Sequence, residues 1–95
     1  MSEEPLKLIR DFEIRNTLGL HARPASLLVQ LCSTFNSEIL IERDGDVVNG
    51  KSLMGLLILA AACGASIRII ASGVDAEAAM AALHDLIAVR KFDED

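Results

Sequence analysis

Apolar and polar residues roughly alternate between Lys7 and Arg15, with Phe12 and Ile14 set against Asp11, Glu13 and Arg15. That period predicts a strand with one wet face. Leu18-Gly19 turns the chain, and Leu27, Leu28, Val29, Leu31 and Cys32 then recur at helical spacing, predicting a helix that ends near Ser33 or Thr34. The start of this helix stays open. The residue before a proline is biased away from helical dihedrals, which makes Pro24 an early helical residue and Arg23 a junction. In either case His21 lies at or just before the helix mouth.

Residues 38–42 form a second strand rich in β-branched residues, Asp44-Gly45 is a hairpin signal, and residues 46–49 return as a third strand. A helix follows from Ser52 to about Ala62, closing near Gly64 as a C-terminal cap. Residues 66–71 read as the fourth strand. Asp75 is the expected N-cap of a last helix whose buried stripe is Ala79, Met80, Leu83 and Ile87. Glu77, His84, Asp85 and Arg90 fall on or near its other face, so His84 reads as a solvated surface residue. Residues 1–5 and 91–95 are expected to be loose tails. The order β-α-β-β-α-β-α with wet-faced strands implies an α+β domain, an antiparallel sheet with helices on its other side.

Ninety-five residues give one small domain with one core. Hydrophobic residues make up 52%, but Trp and Tyr are absent, so that core is aliphatic. A net charge of −5 argues against a nucleic-acid partner, whose phosphates would be repelled. The acidic start, Met1 to Pro5, lacks the basic-then-apolar pattern of a signal peptide. The longest uncharged run, residues 52–67, contains Gly55 and Gly64 and falls short of the roughly 20 apolar residues a membrane span requires. Cys32 and Cys63 are too few and too far apart for a metal cluster. Both lie on apolar helical stretches and read as buried, reduced thiols of a cytoplasmic protein.

Chemistry concentrates at Gly19-Leu20-His21-Ala22-Arg23-Pro24-Ala25. First-turn N–H groups of a helix have no intrahelical acceptor, which is why Pro24 is tolerated there. With the positive end of the helix dipole they make an anion site at Ala22, Pro24 and Ala25. His21 supplies a nitrogen that is nucleophilic near neutral pH, and Arg23 a planar donor fork for phosphate oxygens. A histidine at a helix start serves more often as a plain polar cap, and the motif alone leaves the two readings even.

The same stretch resembles the active-site signature of HPr, the histidine-containing phosphocarrier of the bacterial phosphoenolpyruvate-dependent phosphotransferase system. Asn49-Gly50-Lys51-Ser52-Leu53-Met54-Gly55-Leu56 resembles the second signature of that family, and the likeness runs from Leu6 to Val89. The resemblance implies an open-faced β-sandwich of four antiparallel strands under three helices. It implies a stoichiometric carrier, not a turnover enzyme, needing no cofactor or metal and working as a monomer. Phosphorylated Enzyme I would donate to His21, and His21 would pass the group to enzyme II A-type acceptors. Family practice places the phosphate on the δ1 nitrogen; the residues themselves do not choose.

Residues 53–62 are apolar around nearly the whole circumference of their helix, more than so small a domain can cover, so part should form a docking face. The resemblance puts Leu53, Met54 and Leu57 on it, with Ser26 and Leu27 beside them. Ser52 is a natural N-cap. The resemblance adds that it matches a serine phosphorylated by HPr kinase/phosphorylase, which would bring about −1.5 to −2 charges to the edge of that face. Gln30, Ser33 and Gly55 stand where sugar-pathway members often carry basic residues. The run through Ala60-Ala61-Ala62 looks closer to the nitrogen-related branch, NPr, and both branches stay open.

Two rival classes accompany the carrier. One is a regulatory binding protein acting through Ser52 with His21 idle. The other is a nucleotide-binding module, since residues 45–52 match the P-loop pattern G-x-x-x-x-G-K-S. Adjacent valines fit a strand better than a phosphate loop, Asp46 would oppose nucleotide phosphates, and the Asp-Gly hairpin explains the same residues without a ligand.

Overall fold

The alternation that predicts the strands also decides which way they face. In the computed structural model, which describes residues 7–59 and 61–94, one antiparallel sheet runs in the order β1-β4-β2-β3. Its strands are β1 (Lys7–Glu13), β2 (Glu38–Arg43), β3 (Asp46–Asn49) and β4 (Ser66–Ser72). Helices α1 (Ala22–Cys32), α2 (Leu53–Leu59) and α3 (Ala76–His84) complete an α+β open-faced sandwich. The register sets Phe12 opposite Ile67, Ile41 opposite Ile69 and Ile39 opposite Ala71, all buried in one aliphatic core with Leu28, Leu56 and Leu83. Strand residues one position away point outward, where Arg68 and Asp11 pair at 2.9 Å across β4 and β1.

Asp44 and Gly45, with φ of 51° and 88°, make the two-residue turn between β2 and β3. The P-loop match therefore falls on a paired strand, Val47 opposite Glu42 and Val48 opposite Ile41. Strand β4 lies between β1 and β2 and joins β1 to the β2–β3 hairpin in one sheet.

Four expectations need correction. Arg23 is already helical: α1 begins at Ala22, with His21 at the N-cap position. Helix α2 ends at Leu59, because the Ala61 carbonyl accepts the Leu20 N–H at 2.7 Å and leaves the helical path to do so. Cys63 is exposed on the loop that follows, whereas Cys32 is buried and burial pushes its thiol pKa up to about 12. Asp75 stands at the N-cap position of α3 but makes no side-chain cap bond there. Its carboxylate instead accepts the Asn36 and Ser37 N–H groups at 2.8 Å each and the Ser37 hydroxyl.

The C-terminal expectation fails in an informative way. After α3 the chain continues through a π-helical turn, Asp85–Val89, and a tight turn, Lys91–Asp93. Phe92, expected in a fraying tail, is 1% exposed within the core. Lys91, Phe92 and Asp93 all have φ near 50–60°, a conformation costing on the order of 1–2 kcal/mol per residue. Burying Phe92 returns roughly 1.5–3 kcal/mol, and Arg90 adds a bidentate pair to Asp93 at 2.7 and 3.1 Å. The expected tail residues 1–5, with Ala60 and Asp95, lie outside the described residues.

Candidate functional site

Gly19 positions the site. Its φ is +68°, and a Cβ there would come within 2.8 Å of the Ala62 Cα, so only glycine lets the His21 loop lie against the backbone that follows α2. The Leu20 N–H bond to Ala61 and the buried Leu20 side chain lock the loop in place. His21 follows with extended dihedrals, φ −85° and ψ −168°, and its carbonyl accepts the Ala25 N–H at 3.0 Å. Its ring makes no cap bond to the helix.

Pro24 has no N–H to satisfy. Among the described residues, no acceptor meets the backbone N–H groups of Ala22 and Arg23. The positive end of α1 is left open beside an imidazole. No acidic residue occupies its first turn.

His21 and Arg23 line an open cleft of about 490 Å³ with Thr17, Leu18, Asp93 and Glu94. The C-terminal turn supplies the last two. Glu94 Oε1 lies 3.2 Å from His21 Nε2 and accepts the Asn16 Nδ2–H at 3.1 Å. Asn16, 1% exposed, also donates to the Gly19 carbonyl at 2.6 Å. The guanidinium of Arg90 holds the Asp93 carboxyl below the usual carboxylate range, and the charge of Arg23 adds to the effect. The cleft thus joins one nucleophilic ring, cationic and amide donors, and two carboxylates.

The other named residues fall into place around it. Pro24 and Ala25 are buried beneath the mouth, Ala22 is exposed, and Ser26 and Leu27 are half-buried on the next turn. A second hollow of about 400 Å³ runs from His21 and Ala22 to Leu57 and Ala61. It connects the mouth of α1 to the apolar face of α2, where Leu53, Met54 and Leu57 are exposed. Ile58, 73% exposed, extends that face further than expected. Ser52 caps α2, its Oγ accepting the Gly55 N–H at 3.1 Å. His84 is exposed, near the Phe12 ring.

Asn16, Asp93 and Glu94 were not anticipated. An acidic chain end reads as solvated, and only the apolar Phe92 within it signalled an anchor.

Comparison with known proteins gives the family. The family model described as the PTS HPr component phosphorylation site matches residues 9–89. The chain is 40% identical to the phosphocarrier protein HPr of Treponema pallidum over 93% of its own length and 99% of the relative's. It is 49% identical to the HPr-like protein Crh of Halalkalibacterium halodurans, over 78% and 88% respectively. The crystal structure of HPr from Thermoanaerobacter tengcongensis superposes with a TM-score of 0.88 at 45% identity, covering 93% of this chain and 98% of that one. A dimer of that HPr is also known, so a monomeric state does not follow from kinship. With the family model matching residues 9–89 and relatives 40–49% identical over most of its length, this chain belongs to the HPr family of phosphocarrier proteins.

Proposed function

We propose that His21 accepts a phosphoryl group from phosphorylated Enzyme I and passes it to enzyme II A-type acceptors of a phosphoenolpyruvate-dependent phosphotransferase system in the cytoplasm. The observation that carries this reading is the open start of α1: an imidazole at the N-cap position next to two unpartnered N–H groups, with His21 and Arg23 lining one cleft. Such donors stabilise charge on the phosphoryl oxygens as it develops during transfer. A P–N bond breaks readily in either direction, which suits a stoichiometric relay. Leu53, Met54 and Leu57, with Ser26 and Leu27, form the surface that meets both partners. The carrier acts as a monomer.

Incubation with phosphoenolpyruvate and Enzyme I tests this directly. The expected product is an acid-labile phosphate, abolished by His21→Ala. Equal labelling of the His21→Ala protein would sink the assignment.

A second reading is favoured by the kinship to Crh, a protein described in Bacillus subtilis as a catabolite repression protein. In it, Ser52 is the regulated residue and an HPr kinase/phosphorylase the partner. Ser52 is half-buried at the edge of the Leu53 and Met54 face, so phosphate there would place about −1.5 to −2 charges beside the docking surface. Acid-stable label that requires ATP and the kinase, with no label from Enzyme I, would select this reading.

A further inference from the structure

We infer that Glu94 is a positioning residue for His21: its carboxylate holds the ring proton on Nε2 and leaves Nδ1 as the nitrogen bearing the lone pair. The inference deepens the phosphocarrier reading and rests on it for its consequence in transfer.

A neutral imidazole has one donor nitrogen and one acceptor nitrogen, and an ionised carboxylate can only accept. With Glu94 Oε1 at 3.2 Å from Nε2, the tautomer that satisfies the contact carries its hydrogen on Nε2. Among the described residues, nothing hydrogen-bonds to Nδ1.

The contact is built, not incidental. The Glu94 side chain is 17% exposed and that of His21 35%, so water competes weakly for Oε1. The same oxygen accepts from Asn16, whose buried amide is fixed in turn by the Gly19 carbonyl. Two residues before it, Phe92 anchors the chain in the core, and the Glu94 N–H bonds the Lys91 carbonyl at 3.0 Å. The turn that looked like a fraying end delivers one carboxylate to one ring nitrogen.

The consequence for transfer balances. The Nδ1 lone pair forms the new N–P bond while the bond from phosphorus to the donor breaks, its electron pair leaving with the donor. The ring keeps its Nε2 proton and gains a positive charge, which the Glu94 carboxylate faces. A carboxylate that orients an imidazole and stabilises its cationic form is an established device for histidine chemistry.

The test uses the full chain with ¹⁵N-labelled imidazoles, observed by long-range ¹H–¹⁵N spectra about two pH units above the ordinary imidazole pKa. The exposed His84 is the internal reference. His21 should show the Nε2–H form almost alone, and Glu94→Ala should return it toward the mixture seen at His84. The initial rate of phosphoryl transfer from Enzyme I to Glu94→Ala should fall by about tenfold, with saturation by Enzyme I unchanged. A wild-type His21 as mixed as His84, or a tautomer indifferent to Glu94→Ala, overturns the inference even if transfer is normal. A Glu94-dependent tautomer in a protein that takes no phosphate supports it and overturns the carrier reading alone.

Discussion

The starts of α1 and α2 carry the two phosphorylation candidates, and they are built in opposite ways. At α2 the Ser52 hydroxyl accepts the Gly55 N–H, so the helix is closed by its own chain. At α1 His21 holds the corresponding position without capping anything, and the Ala22 and Arg23 amides meet no acceptor among the described residues. A closed start stabilises the fold; an open one keeps its donors for a visiting anion. The same local device thus serves folding at one helix and, in the proposed carrier, is left free for chemistry at the other.

Among changes that spare the imidazole, removing the cation from the open start should have the largest effect. Arg23→Ala is expected to slow phosphoryl transfer by 10- to 100-fold, about 1.4–2.7 kcal/mol of barrier, measured by rapid quench with Enzyme I. An undiminished rate would mean that the amides suffice without the guanidinium. The contrast in capping is tested by denaturant unfolding. Ser52→Ala should cost about 1 kcal/mol, and His21→Ala less than about 0.5 kcal/mol, because its ring caps no amide. The reverse order would erase the distinction.

The start of α3 sharpens it further, since Asp75 spends its carboxylate on Asn36 and Ser37 instead of its own helix. Those bonds, led by the Ser37 hydroxyl, lower its pKa below the ordinary 3.8. A carboxyl depressed on folding contributes stability above its unfolded pKa and loses it as pH falls through the lower folded value. The gap in thermal midpoint between wild type and Asp75→Asn should therefore be constant from pH 6 to about 4.5 and close below about 3.8. A gap that persists at pH 2 would mean that Asp75 acts through shape and not through charge.

The legible parts of this molecule were those coded by period and turn chemistry. Phe12 and Ile14 alternate with charges, Asp44-Gly45 marks the hairpin, and the stripe Ala79, Met80, Leu83, Ile87 is buried as its spacing requires. His21 and Arg23 were visible because their chemistry sits in consecutive residues. What was missed depends on partners far along the chain. Residues 61 and 62 read as helix by propensity, but the Leu20 N–H claims the Ala61 carbonyl, and tertiary pairing overrides propensity. Asp75 looks like a cap until Asn36 and Ser37 arrive beside it. Glu94 reads as solvent-facing because neither Asn16 nor His21 is near it in sequence.

The central place of β4 bears on how the protein comes to be made. Until Ser66–Ser72 has left the ribosome, β1 has no neighbour to pair with, and β2 with β3 forms a lone hairpin of the kind that is marginal in water. Nucleation must then join segments 55 residues apart, as Phe12 and Ile67 are, which favours slow closure late in synthesis over stepwise assembly on the way out.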